Sequence, residues 1–225
     1  MNRIIITIMV LILCIPYLAG ATLTKIGTAT WNGQDYNLIY ESENIHGGLV
    51  WFDYRFDQYH WNWYSTYIPT IGQNLTVSLD PGYTTDIDWT IDWRLPSAGV
   101  NPSIQDTGDN ITTSEMGHLF YVSLGLNAGE SWNQKAPFER LYSGAFWMNE
   151  MYECGPNCQY SWVFNDLGNQ AIMGSDVFLG VEAMAVRPGE VFGPGILSGV
   201  PEPTTMLLLG TGLIGLAGAR RRMKK

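Results

Sequence analysis

The sequence is poor in charge, and above all in positive charge. Only 15% of the 225 residues are charged, against a usual value of about 25%, and 12 basic residues face 21 acidic ones. DNA and RNA binding draws its affinity from lysine and arginine, so we expect no nucleic-acid partner. The 46% hydrophobic content, which includes nine tryptophans, excludes a disordered chain and is sufficient for a globular core.

Signatures of catalysis and of metal binding are also lacking. The chain has no Gly-x-Ser-x-Gly elbow, no His-Glu-x-x-His helix and no phosphate-binding loop. The three histidines are scattered, and a zinc site at Cys154 and Cys158 would need two further ligands nearby. We therefore expect a non-enzymatic protein without cofactor or metal. A secreted carbohydrate-active hydrolase is the alternative, because glycoside hydrolysis needs only two carboxylates at a suitable separation.

Residues 1–21 have the composition of a secretory signal peptide. Arg3 supplies a positive start, Ile4–Ile15 is continuously apolar, and Ala19-Gly20-Ala21 offers small residues for cleavage. The apolar run is shorter than the roughly 20 residues that span a bilayer, which argues against a permanent anchor. We predict export and cleavage near Ala21.

Residues 200–225 form a second distinct segment. Pro201-Glu202-Pro203 precedes the apolar stretch Met206–Ala219, and five basic residues follow it. A short apolar helix with a basic end is typical of a membrane segment whose basic end lies in the cytoplasm. The order of these features resembles the PEP-CTERM protein-sorting signal of bacteria that make exopolysaccharide, whereas a plain tail anchor is the alternative.

This resemblance implies a processing route. In that family an exosortase, a membrane transpeptidase, is thought to cut at or near the Pro-Glu-Pro, so Pro201, Glu202 and Pro203 would be a processing motif outside the fold. The protein would be held transiently in the inner membrane through residues 206–219. It would then reach the cell surface or the extracellular matrix, where exopolysaccharide is a possible partner.

Removing both ends leaves an exported domain, residues 22–199, that is strongly acidic. Six of the basic residues and 20 of the acidic ones fall in it, which gives a formal charge of −14. This charge disfavours polyanionic ligands and leaves neutral sugars, cations or a basic partner. Cys154 and Cys158 bracket a Gly-Pro-Asn turn, so we predict a local disulfide in an oxidising compartment.

The hydrophobic patterns of the exported domain favour a mixed α+β fold. Asn32-Gly33 lies between two strand-like runs and predicts a hairpin. Aromatic residues at a spacing of four predict a helix over 57–68, and Thr112 with Glu115 predicts a capping box for a second helix. Later strands are expected at 144–149, 160–165 and 177–187.

Two short motifs carry a second resemblance. Trp93-Arg94-Leu95-Pro96 and Ala185-Val186-Arg187-Pro188, with loose aromatic patterns before and between them, follow the order seen in the bacterial Lcl C-terminal domain family. The resemblance implies a C-type lectin-like domain with two helices and a twisted antiparallel sheet. Trp93, Arg94, Pro96 and Arg187 are then structural, because arginine beside carboxylates and carbonyls commonly holds loops through paired hydrogen bonds.

A cluster of aromatic residues is the candidate glycan-binding site. Trp61 and Trp63 lie among polar residues, with Asn62 between them and Tyr59 and Tyr64 beside them. A helix would point the two indoles about 200° apart, so that at least one ring lies outside the core. An exposed ring offers a flat apolar face for a sugar, whereas ordinary core packing is the alternative.

Three aspartates suggest either a solvated strand face or a calcium site. Asp86, Asp88 and Asp92 alternate with apolar residues, which is the pattern of a half-buried strand. Calcium takes several oxygen ligands of the kind this stretch supplies, although the spacing of an EF-hand loop is absent. We favour the strand face.

Overall fold

The structure is a computed structural model that describes residues 22–45, 47–57, 59–152, 154–155, 159–176 and 180–196. The predicted signal peptide, the 200–225 segment and Cys158 lie outside these residues. Within the described part, the helices are too short or too polar to cross a membrane.

An eight-stranded mixed sheet dominates the fold. Its strands follow the order β4-β1-β2-β3-β9-β6-β7-β8, and all neighbours are antiparallel except the parallel pair β6 and β9. A short separate ribbon pairs β5 with β10. The strands are β1 Leu23–Trp31, β2 Gln34–Asn44, β3 Gly47–Phe56, β4 Thr76–Leu79, β5 Thr84–Thr85, β6 Ala145–Tyr152, β7 Tyr160–Asn165, β8 Gln170–Gly174, β9 Val181–Pro188 and β10 Val191–Phe192.

Helical structure in the described residues is short and includes an isolated 3₁₀ turn over Ile104–Asp106. Helix α1 spans Trp61–Tyr67 and continues as a 3₁₀ helix over Ile68–Asn74, which has Pro69 in its first turn. Helix α2 spans only Glu115–His118 and then widens into a π-helix over Leu119–Ser123. A proline cannot continue the hydrogen-bond ladder of an α-helix, which explains why α1 tightens where it does.

The prediction of a C-type lectin-like α+β fold with two helices and an antiparallel sheet is wrong. The chain is mostly β-sheet, the sheet is mixed, and the two α-helices have seven and four residues. Aromatic and β-branched residues, which fit a pleated surface, recur throughout the domain and favour strands over long helices. The predicted carboxyl-terminal helix lies outside the described residues.

Several local predictions from the sequence are confirmed. Asn32 and Gly33 turn the chain between β1 and β2 with φ values of 51° and 78°, as a two-residue hairpin of type I′ requires. The predicted strand at 160–165 has these same bounds in the structure. The capping box is wrong: Ser114 caps α2 through the Gly117 N–H, and Glu115 is bonded elsewhere.

Each face of the sheet carries its own hydrophobic core. Alternate residues of β3 divide between them: Phe52 packs on the side of α1, and Trp51 packs on the side of α2. The α1 face also buries Tyr64 and Trp147, and the α2 face buries a group of rings beside Trp51. That group comprises Phe120, Trp132, Phe138, Phe146, Trp162 and Phe164.

Candidate functional site

Three stacked rings lie along the surface at helix α1. The ring of Trp63 stacks on Tyr59 at 4.6 Å between centroids and on Tyr67 at 4.1 Å, with interplanar angles of 22° and 28°. Residues four apart lie one above the other on a helix, so the spacing stacks Trp63 on Tyr67, whereas Tyr59 joins the stack from the segment just before α1. Tyr59 is 47% exposed and Trp63 37% exposed. We call Tyr59, Trp63 and Tyr67 the aromatic ladder.

The structure separates the residues predicted to bind glycan. Trp63 and Asn62 lie at the surface, whereas Trp61 is half-buried and its indole Nε1 donates to the Met148 carbonyl at 2.6 Å. Tyr64 is completely buried, and burial raises the pKa of its hydroxyl. Tyr64 therefore belongs to the core, and the exposed platform consists of Tyr59 and Trp63.

Further aromatic residues continue from the ladder across the end of the sheet. Tyr67 contacts Phe56 at 6.2 Å between ring centroids, Phe56 contacts Tyr54 at 4.7 Å, and Tyr54 contacts Tyr36 at 4.7 Å. Phe56 is buried, whereas Tyr36, Tyr54 and Tyr67 are half-buried. Sequence reasoning missed Tyr36 and Tyr54, because they come from two other strands and no local spacing links them to the ladder.

Arg94 holds two segments of the fold together. Its guanidinium donates to both carboxylate oxygens of Glu115, at 2.6 and 2.7 Å, and to the Leu95 carbonyl at 3.0 Å. Glu115 is fully buried and also accepts from the Ser97 N–H at 2.7 Å. Burial lowers the pKa of Arg94, but the bonds and charge of Glu115 outweigh burial and raise the pKa above its usual value.

The neighbours of Arg94 in the motif are also bonded to the fold. Trp93 is buried, and its Nε1 donates to the Trp89 carbonyl at 2.9 Å. The Pro96 carbonyl accepts from the Asn149 N–H at 2.8 Å, which links this loop to β6. The Trp93-Arg94-Leu95-Pro96 motif is thus bonded to the rest of the fold at several points.

Arg187, near the end of β9, also holds two segments of the fold together. Its guanidinium donates to the carbonyls of Asp88 and Pro188 and lies over the Trp89 ring, 5.6 Å from the centroid. Asp92 is 3.8 Å away, and burial lowers the pKa of Arg187 despite that charge. The side chain fastens the 88–92 loop to β9.

The strand predicted for the three aspartates is wrong. The strand β5 ends at Thr85, and residues 86–93 are irregular, with a turn at 89–90 and a φ of 65° at Asp92. Asp88 accepts from the main-chain N–H and hydroxyl of Thr90, at 3.0 and 2.6 Å, as in a turn. Across the described ranges, no group of three or more His, Cys, Asp or Glu side chains is placed to hold a metal ion.

The buried carboxylates are bonded within the fold. Glu41 accepts from the Trp51 Nε1 at 2.9 Å and the Asn44 Nδ2 at 2.7 Å, and it also contacts His118 and Ser123. Asp53 accepts from two main-chain N–H groups at 2.7 and 3.1 Å, although burial still raises its pKa. These bonds join β2 and β3 to the segments that cover them.

His118 and Ser123 do not form a catalytic triad with Glu41. Both the carboxylate and the serine hydroxyl lie nearest to the same ring nitrogen, Nδ1, at 2.9 and 3.4 Å respectively. A triad instead places the nucleophile on one nitrogen and the carboxylate on the other. The arrangement fits a buried structural network.

The predicted disulfide stays a prediction. Cys154 follows β6, and Cys158 lies outside the described residues.

An apolar groove of about 370 Å³ lies elsewhere on the surface, between Ile45, Val100 and Pro102.

Comparison with known proteins supports the carboxyl-terminal prediction. Residues 199–222 match the PEP-CTERM protein-sorting motif, which includes the predicted Pro201-Glu202-Pro203. No curated protein and no solved structure matches the chain. The Lcl-like resemblance therefore finds no support, but the sorting motif is confirmed: the protein carries an exosortase sorting signal and is exported to the cell surface.

Proposed function

We propose that the exported domain is a non-catalytic glycan-binding module that associates with exopolysaccharide after exosortase processing. The exposed aromatic ladder at helix α1 carries this proposal. Large exposed apolar surfaces on soluble proteins commonly mark binding sites. Flat rings beside the exposed amide of Asn62 combine apolar contact with hydrogen bonding, which is the combination that a sugar ring needs.

The geometry of the stack defines where a sugar would lie. Trp63 stacks on both Tyr59 and Tyr67, so a sugar would contact the parts of Tyr59 and Trp63 that remain exposed. Trp61 and Tyr64 support this surface from beneath. Tyr59 therefore replaces Trp61 as the main predicted contact.

The charge of the domain favours a sugar without negative charge. Residues 22–199 carry a formal charge of −14, and Arg94 and Arg187, two of the six basic residues, are engaged within the fold. Binding should therefore depend weakly on salt, because electrostatic attraction contributes little.

The arrangement of the carboxylates supports a non-catalytic role. A glycoside hydrolase needs two carboxyl groups facing a substrate across a cleft. Glu41, Asp53 and Glu115 are instead buried and accept hydrogen bonds from the fold. The hydrogen bonds that these carboxylates accept hold strands and loops together.

Binding can be tested with the processed protein purified from its host and the host's own exopolysaccharide. A Tyr59→Leu, Trp63→Leu double variant should lose most binding, and Tyr160→Leu, which alters an equally exposed tyrosine on β7, should bind normally. Unchanged binding by a folded double variant would overturn the glycan site. No binding by the wild type would leave a structural matrix role.

Processing can be tested separately by intact-mass measurement. The mature protein should begin near Thr22 and end near Pro201–Pro203, and Glu202→Ala should retain it in the membrane. A wild-type product that still carries Met206–Lys225 would contradict removal of the tail.

The predicted disulfide can be tested on the same product. Free-thiol labelling should find no reactive thiol at Cys154 or Cys158.

A further inference from the structure

The rings that follow the ladder extend the candidate surface well beyond helix α1. We infer that the site is a strip of six aromatic rings that takes the interior of an extended, uncharged polysaccharide chain and not a single terminal sugar. This inference rests on the proposed function. The aromatic strip consists of Tyr59, Trp63, Tyr67, Phe56, Tyr54 and Tyr36.

Direct ring contacts make the aromatic strip continuous. Its successive centroids are 4.6, 4.1, 6.2, 4.7 and 4.7 Å apart. Phe56 is 4% exposed and forms the floor between the ladder and the pair of Tyr54 and Tyr36. Five of the six rings are at least partly exposed, and they come from β2, β3 and the segment of helix α1. A surface shared by three elements is larger than one sugar residue can cover, so it fits several consecutive sugars.

The topology explains why these rings meet. Tyr54 and Phe56 are two apart at the end of β3, so their side chains share one face of the sheet. Tyr36 lies at the start of β2, just after the Asn32-Gly33 turn, and that end of the hairpin adjoins the end of β3. Helix α1 packs on the same face and adds the ladder.

Polar groups line the far end of the aromatic strip. The Tyr36 hydroxyl donates to the exposed Gln34 Oε1 at 2.8 Å, and the Arg140 guanidinium lies 5.8 Å from the Tyr36 ring centroid. Asn62 is exposed at the ladder. Amides at both ends match the many hydroxyl groups of a polysaccharide, since an amide both donates and accepts hydrogen bonds.

Charge selects against acidic polymers along this surface. Asp35 and Asp57 are exposed and adjoin Tyr36 and Phe56 in the chain, and the Arg140 guanidinium lies beside the Tyr36 ring. Together with the formal charge of −14 on residues 22–199, these carboxylates disfavour a polyanion but not an uncharged chain.

The test uses the processed wild-type protein, purified host exopolysaccharide and fragments of that polysaccharide sorted by length. Wild type should bind long fragments at least about tenfold more tightly than disaccharides, a difference of about 1.4 kcal/mol. Tyr36→Leu should remove most of this preference and leave disaccharide binding at the ladder unchanged. Tyr36→Phe, which keeps the ring, should behave as wild type.

The outcomes separate this inference from the proposed function. Equal binding of long and short fragments by wild type, or normal binding of long fragments by folded Tyr36→Leu, would overturn the extended site and leave the ladder intact. Loss of all binding in high salt would overturn the uncharged ligand. If wild type binds no fragment, the proposed function fails as well. Tyr160→Leu serves as the matched control, and thermal unfolding checks that each variant is folded.

Discussion

The two faces of the sheet differ in what they bury and in what they expose. Around the α2 face, buried polar groups are bonded to one another: Glu115 with Arg94, and Glu41 with Trp51 and Asn44. On the α1 face, aromatic rings run from the core out to the surface at Tyr59 and Trp63. The α2 face is therefore closed around its polar groups, whereas the α1 face remains open to contact.

This difference separates stability from binding. A buried ion pair costs desolvation and is retained only when its geometry is good, so changes there should unfold the domain. Exposed rings gain less from folding, because water still reaches them. Substitutions on the α2 face should therefore mainly lower stability, whereas substitutions of exposed rings on the α1 face should mainly affect binding.

The largest effect is expected from Arg94→Ala. It leaves the fully buried Glu115 carboxylate without its cation, and removing one partner of a buried pair costs about 3–5 kcal/mol. Denaturant unfolding of the purified domain should measure the loss. Arg140→Ala, at an exposed arginine, is the control and should change stability by less than about 0.5 kcal/mol. A loss below 1 kcal/mol for Arg94→Ala would show that the α2 face does not depend on this pair.

Gly117→Ala should have the next largest effect. A Cβ at Gly117 would lie 1.8 Å from the Ile111 carbonyl oxygen, so the chain must shift to accept it. Overpacking of this kind costs about 1–3 kcal/mol, whereas helix propensity alone would favour alanine by up to about 1 kcal/mol. Thermal unfolding will show whether Gly117→Ala lowers or raises the stability. Val122→Ala, on the exposed side of the same segment, is the control. Unchanged or higher stability of the alanine variant would disprove the close packing.

The structure shows which features could be predicted from the sequence and which could not. Local signals were sufficient for the Asn32-Gly33 hairpin and for the spacing that stacks Trp63 on Tyr67, because both depend on neighbours in the chain. The role of Glu115 was mistaken for a cap, since its partner Arg94 is 21 positions away. The parallel pairing of β6 with β9 is likewise nonlocal, and no period in the sequence encodes it.

Trp63→Leu should have a modest effect on stability. It removes two ring stacks at a 37% exposed position, and aromatic pairs contribute about 0.5–1.5 kcal/mol beyond the area they bury. Trp132→Leu, at a fully buried ring of the α2 face, is the matched comparison and should cost clearly more. Equal losses at the two tryptophans would remove the distinction between an open and a closed face.

The smallest effect is expected from Glu182→Gln, which tests an exception among the buried carboxylates. Glu182 is 5% exposed, and its Oε2 atom has no hydrogen-bond partner among the described residues, while Oε1 lies 3.2 Å from Arg55. Burial raises the pKa of Glu182, and Arg55 opposes this only in part. The folded state therefore holds the proton of Glu182 more tightly than the unfolded state does. Protonated Glu182 stabilises the fold at low pH, and this stabilisation is lost as the pH rises through the raised pKa. Glutamine does not titrate. The unfolding temperature of wild type minus that of Glu182→Gln should therefore fall as the pH rises from about 4, near the ordinary pKa of glutamate, through the raised pKa. A difference that stays flat or rises over this range would mean that Arg55 outweighs burial and that Glu182 resembles the satisfied carboxylates of the α2 face.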